Sequence, residues 1–195
     1  MKLPILVAAI AGSALVFAYC SQPAKQEAKA AEMKEEKKPS YAIVEQHALV
    51  WKEAISQLHE LADVMPEESY GFKPHDSLRT FAGQLAHIAG SSKVIANMFL
   101  KDIKPDGPPA DMDVSAMSKE DMKNMITKNL NETWDIIKTM SDDQLINEKT
   151  KSFSGNEMSR LEGLWLVHDH LTNHKAKANM YIRVSGNKPP KYRYY

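Results

Sequence analysis

Cysteine is nearly absent from this 195-residue chain, and the one present, Cys20, stands close to the N-terminus. A single thiol excludes an intramolecular disulfide, a CxxC redox pair and a cysteine-built zinc ribbon, and it leaves the rest of the chain without thiol chemistry. An excess of charge of either sign is missing too. The 25 Lys and Arg residues balance 25 Asp and Glu, for a formal net charge of zero and a pI near 7.1. Such a chain offers no broad basic field, so no nucleic-acid partner is expected. It has no glycine-rich phosphate loop and no GxSxG elbow. Sustained two-residue alternation between turn pairs is also lacking, which speaks against a sheet. What remains, 43% hydrophobic residues over this length, suits one globular domain with some flanking sequence.

The first flank reads as an export signal. Lys2 is followed by an apolar, alanine-rich stretch at 5–18. Cys20 comes after Phe17-Ala18-Tyr19 and before Ser-Gln-Pro-Ala, an arrangement similar to a bacterial lipobox whose cysteine is lipidated. Phe17 and Tyr19 are bulkier than that motif prefers. Lipidation at Cys20, plain secretion with cleavage near Ala18, and an uncleaved anchor all place the rest of the chain outside the cytoplasm. Residues 1–20 are therefore read as the signal peptide. Residues 21–40, rich in Lys, Glu, Ala and Gln with almost no large apolar side chain, read as a flexible tether.

From Tyr41 onward the pattern is helical. Trp51, Ala54, Leu58, Leu61 and Met65 mark helix one, with Pro66 at its stop. Leu78, Phe81, Leu85, Ile88, Ile95 and Phe99 mark helix two. Residues 102–116 hold Pro105, Gly107, Pro108 and Pro109 and read as a long crossing connection. Ser118 is a candidate N-cap for helix three, which carries Met122, Met125, Ile126, Leu130, Trp134, Ile137 and Met140. Residues 141–156 read as irregular, and helix four spans 161–184, ending near Gly186 with Pro189 and Pro190 beyond. The expectation is an all-α four-helix bundle over 41–195, in up-down-down-up order, with the last residues, 191–195, as a short mobile tail.

Histidines carry the chemical signal. His170 and His174, four apart on helix four, lie about 40° apart on the helical wheel and share a face. Two neutral imidazoles at that spacing suit a transition ion, and equally suit a pair of satisfied polar residues at a bundle edge. His168 falls at about 160° on the same wheel, toward solvent. His87 lies among Ala82, Ala86, Ala89 and Gly90, small residues that admit a neighbouring helix; alone it reads as a core or boundary histidine. His47 shares the inner stripe of helix one with Trp51 and Ala54, whereas His59 and His75 read as surface and turn residues. Leu171 follows His170 where an HExxH zinc protease needs its glutamate, and no Glu-x-x-His of the di-iron kind occurs.

Three stretches together resemble a known family: MPEESYGFKP at 65–74, LRTFAGQLAHIA at 78–89, and His170-Leu-Thr-Asn-His174 with Tyr181-Ile-Arg183 and Gly186-Asn-Lys-Pro-Pro190. Their order is similar to that of the DinB-like superfamily of metal-binding four-helix proteins. The resemblance implies an up-down-down-up bundle with one divalent transition ion, zinc or nickel, on the residues matching His87, His170 and His174. It also implies activities such as thiol-dependent S-transfer, isomerisation or hydrolysis. Where members often follow the last histidine with Arg-Gly-Gln, this chain has Lys175-Ala176-Lys177, which weakens any transfer of substrate contacts.

The function expected is therefore an exported, lipid-anchored metal-dependent hydrolase or transferase acting on a small molecule. A noncatalytic metal- or ligand-binding envelope protein and a thiol-dependent S-transferase are the alternatives. His47, Trp51, Tyr181 and Arg183 are cavity candidates, with core packing and a helix-end cation as the plainer account of the last three. The exposed faces of helices one and three are where a homodimer would form, although their charge patterns read as solvated surface.

Overall fold

Four capped helices dominate the computed structural model, which describes residues 38–107, 114 and 116–194. The signal segment with Cys20, and most of the tether, lie outside the described residues. Helix α1 covers Ala42–Val64, α2 Phe81–Lys101, α3 Lys119–Ile137, α4 Asp142–Asn147 and α5 Arg160–Val184; α5 is the fourth helix of the sequence reading. Side-chain oxygens cap most of the starts. Thr80 accepts from the Gly83 amide and Ser118 from the Asp121 amide, each satisfying a backbone donor that the helix leaves orphaned. Reciprocal capping boxes, Ser141 with Gln144 and Ser159 with Glu162, start α4 and α5.

Relative directions follow from who meets whom. Trp51 Nε1 donates to Leu130 O at 3.1 Å, and His59 Nε2 lies 2.9 Å from Thr127 Oγ1, so α1 and α3 run antiparallel. Tyr181 bonds Arg79 O and Gly163 abuts Phe99, so α2 and α5 run antiparallel as well. Along α1 and α5, His47 meets His168 and Gln57 meets Lys175, which makes that pair parallel. The sense is up for α1, down for α2 and α3, and up for α5. Trp51, Leu58, Leu85, Ile88, Phe99, Ile126, Leu130 and Leu171 fill the shared core, each removal from water contributing about 1.5–3 kcal/mol before entropy.

Several expectations need correction. The stretch 141–156 is not irregular: it holds α4, and an antiparallel hairpin of β1 Lys149–Lys151 and β2 Glu157–Ser159 with Gly155 at φ +84 in its turn. Elements of six and three residues are too short to impress a period on the sequence. Leu78 is exposed and precedes the Thr80 cap, so it is not part of α2, and Met140 is buried just beyond the end of α3. His59 is half-buried against α3 rather than on the surface. Within the tail, Arg193 is tied to α1. Arg193 pairs with Glu60 through two bonds of 2.8 and 2.7 Å and with Glu53 at 2.5 Å, while its carbonyl accepts from Gln57 Nε2. In the long connection, the described Val114 is buried.

The N-terminal end of α5 is held against the C-terminal end of α2. Arg160 reaches Asp102 at 2.6 Å and Glu148 at 2.7 Å, and Thr150 donates to Asp102, which caps α2 in the left-handed region at φ 54. One turn on, a Cβ at Gly163 would stand 2.8 Å from Phe99 Cβ and 3.2 Å from Phe99 O. Gly163→Ala would gain up to about 1 kcal/mol of helix propensity but would overpack this contact at a cost of about 1–3 kcal/mol. The expected result is net destabilisation by about 1–2 kcal/mol, read as a lower urea midpoint with unchanged m-value; a raised midpoint would refute this account of the α2–α5 contact.

Candidate metal centre

Close approach of α5 to α2 brings three imidazoles together. His87 comes from the middle of α2, and His170 and His174 from successive turns of α5. Ring centroids are 5.2 Å apart for His87 and His170, 4.4 Å for His87 and His174, and 4.4 Å for His170 and His174. One nitrogen from each ring falls within 4.8 Å of the other two, and all three residues are half-buried. The i, i+4 spacing read in the sequence thus acquires its third member from another helix.

Protonation favours ligation. His174 is depressed to about 4, first by burial and then by repulsion from His170, His87, Lys177 and Arg79. His170 is lowered by burial, and further by Lys177 and Arg79, against an opposing pull from Asp169. Neutral imidazoles with free lone pairs are what a divalent transition ion requires.

Polar contacts behind the rings hold two of them in place. Ser91 gives its one hydroxyl proton to His87 O and so can only accept from His170 Nδ1, 3.3 Å away. That leaves the His170 Nε2 lone pair free. Gln84, buried on α2, places its side-chain amide 2.7 Å from His174 Nδ1. The same Gln84 Nε2 donates to His174 O at 3.2 Å, so one amide group holds both the ring and the backbone of His174 against α2. Sequence reasoning missed Ser91 and Gln84, yet their spacing signals them: Gln84 is three residues before His87 and Ser91 four after, on its face of α2. Arg79 was missed as well; its charge acts on both α5 ligands, and its carbonyl is held by Tyr181 Oη–H at 3.1 Å.

The remaining candidates lie elsewhere. Trp51 is fully buried and structural, bonded to Leu130 O. His47 does not join the triad; it stacks near Trp51 and against His168. Tyr181 is buried and positions the Arg79 backbone. Arg183 is exposed and borders a groove with Gln57, Lys175 and Tyr192 under the C-terminal segment. His168, expected toward solvent, is half-buried between α5 and α1, because α5 is covered on two sides and its buried arc is wider than one stripe. Lys175, at the position of the family's arginine, donates to Gln57 Oε1 and so braces α5 on α1.

Comparison with known proteins agrees with this architecture. No curated protein matches the chain. Among solved structures, a DinB-like protein from Bacillus cereus superposes with a TM-score of 0.62 at 19% identity, covering 76% of this chain and 97% of that one. A DinB-like protein from Bacillus subtilis gives 0.60 at 18% identity, covering 75% and 96%. At such identities the likeness is one of fold. The family model that matches, over residues 33–195, is that of the DinB family, and the chain belongs to that family.

Proposed function

We propose that the chain holds one divalent transition ion, zinc or nickel, on His87, His170 and His174, and acts as a metal-dependent hydrolase or transferase on a small molecule. The observation that carries this reading is the convergence of three half-buried imidazoles from two helices, with Ser91 beside His170 Nδ1. Three neutral ligands leave positions of a divalent ion open. What an ion would contribute there is Lewis acidity, which polarises a substrate oxygen or sulfur and eases proton loss. The chain's own part is to keep the ligands deprotonated, orient them through Ser91 and Gln84, and supply positive charge from Arg79 and Lys177. Those two cations suit a substrate that is anionic or becomes so as it reacts.

A noncatalytic metal- or ligand-binding role is the second reading. It is favoured by one feature: the carboxylate acting on the triad, Asp169, is exposed on α5, whereas hydrolysis needs a proton acceptor within reach of the reacting group. Export and lipidation at Cys20 belong to the proposal in either case, and an extracytoplasmic setting, where low-molecular-weight thiols are scarce, disfavours the thiol-dependent S-transferase. Cys20→Ser should release the chain from the membrane fraction or block its maturation; unchanged membrane association would reject lipidation as the anchor.

Elemental mass spectrometry of the purified chain tests the ligand set. About one ion per triad is expected, absent from the His170→Ala and His174→Ala variants, with Gln84→Leu weakening affinity about 10–100-fold while remaining folded. Retention of a triad ion in both histidine variants, or its absence from native protein incubated with zinc and nickel, would sink the reading.

His170 and His174, together with His47 and His168, set a pH dependence in the metal-free chain. Their folded pKa values lie below the unfolded value near 6.5, with His47 and His174 at about 4. Between those limits the unfolded state binds more protons, so stability is full above about 6.5 and falls as pH drops toward 4. Thermal unfolding of metal-free protein should show Tm decreasing across that window. A flat profile, or one that rises on acidification, would contradict the burial of these rings.

A further inference from the structure

A second histidine pair lies outside the triad. His47 on α1 and His168 on α5 stand edge to face, with ring centroids 5.2 Å apart and planes at 77°. Trp51 covers His47 from the next turn of α1, with ring centroids 6.0 Å apart. On each imidazole one nitrogen is buried without any hydrogen-bond partner: Nε2 of His47 and Nδ1 of His168. Leaving such a group unpaired is costly, and native proteins ordinarily provide a partner. Here two orphaned nitrogens belong to rings in mutual contact.

Each ring can carry its lone pair on the orphaned nitrogen, and a Lewis acid is a species that takes two such lone pairs at once. The spacing agrees. With metal–nitrogen bonds of about 2.0–2.1 Å and a near-tetrahedral angle, two imidazoles on one ion hold their ring centroids about 5 Å apart. The observed 5.2 Å equals the His87–His170 separation within the triad. Lys175 and Asp169, whose charges act on His168, are of opposite sign.

We propose that His47 and His168 form a second, two-ligand site for an imidazole-preferring divalent transition ion such as zinc, nickel or copper, distinct from the triad. The ion joins α1, which contributes nothing to the triad, to α5, which contributes two of its three ligands. With two protein ligands it binds more weakly than the triad and keeps its other positions for water or a small ligand.

Calorimetric titration of the full, purified chain with zinc and with nickel, followed by elemental analysis, tests this. Two equivalents are expected, the second weaker. His47→Gln, which keeps a hydrogen-bonding group near the position of Nε2 but is a poor ligand, should abolish the second equivalent and preserve the first; His168→Asn should do the same. His170→Ala should lose the first and keep the second, so failure of the triad reading is separable from failure of this one. Tm should rise on filling the second site in native protein and not in His47→Gln. Should one glutamine or asparagine variant fail to fold by circular dichroism, the other carries the test. A single equivalent untouched by His47→Gln would mean that no ion binds this pair, and a second equivalent surviving both variants would place the ion elsewhere; either overturns the proposal.

Discussion

Every property of the histidine cluster depends on how closely α5 lies against α2. The approach is set at one end by Gly163, whose missing side chain lets the α5 backbone rest on Phe99. Arg160 fastens that end to the α2 C-cap through Asp102, and Tyr181 fastens the other to the segment just before α2. A wider helix separation would leave three isolated, solvated imidazoles. At the observed separation burial lowers His170 and His174, and His174 is further lowered by repulsion from the other two rings.

That arrangement trades stability for chemistry. A half-buried histidine that must stay neutral forgoes the hydration of its charged form, and a cluster with Arg79 and Lys177 beside it has little to gain from protonation. The rest of the molecule offsets this with ordinary means: capping boxes at α4 and α5, a filled apolar core, and a C-terminal segment held by Arg193 on Glu53 and Glu60. Strain of this kind concentrates where function lies. Holding the rings from behind, by Ser91 on His170 and Gln84 on His174, means that little reorganisation is left for the moment of ligand binding.

Much of this was legible in the sequence, and the exceptions have a common cause. The helix starts at Ser118 and near 160, the stop at Met65-Pro66 and the His170–His174 face all follow from period and capping, which act within a few residues. The long helices also sort themselves, since a buried stripe needs only a partner. What could not be read was any feature defined by two separate segments at once. The fastening of Arg193 needs α1 carboxylates 133 and more residues away, and the hairpin at 149–159 is too short to carry a pattern. His168 was misplaced because a single wheel assumes a single covered face, while α5 meets α2 on one side and α1 on the other.

This two-sided burial of α5 also accounts for its sequence. Between Val167 and Lys175 the helix alternates its debts: His170 and His174 face α2, and His168 and Lys175 face α1, with Leu171 and Val167 buried between. A helix whose polar residues all pointed outward would show a clean apolar stripe. Here polar groups occupy both interfaces, so the stripe is blurred and the blur itself is informative. Polar side chains are retained at helix contacts at a cost in stability, and they persist when something satisfies them. For Lys175 that is Gln57, for His170 Ser91, and for His174 Gln84. The buried nitrogens of His47 and His168 stand apart from this pattern. In a helix that partners its other inward polar groups so consistently, that pair is where a ligand from outside the chain has a place left for it.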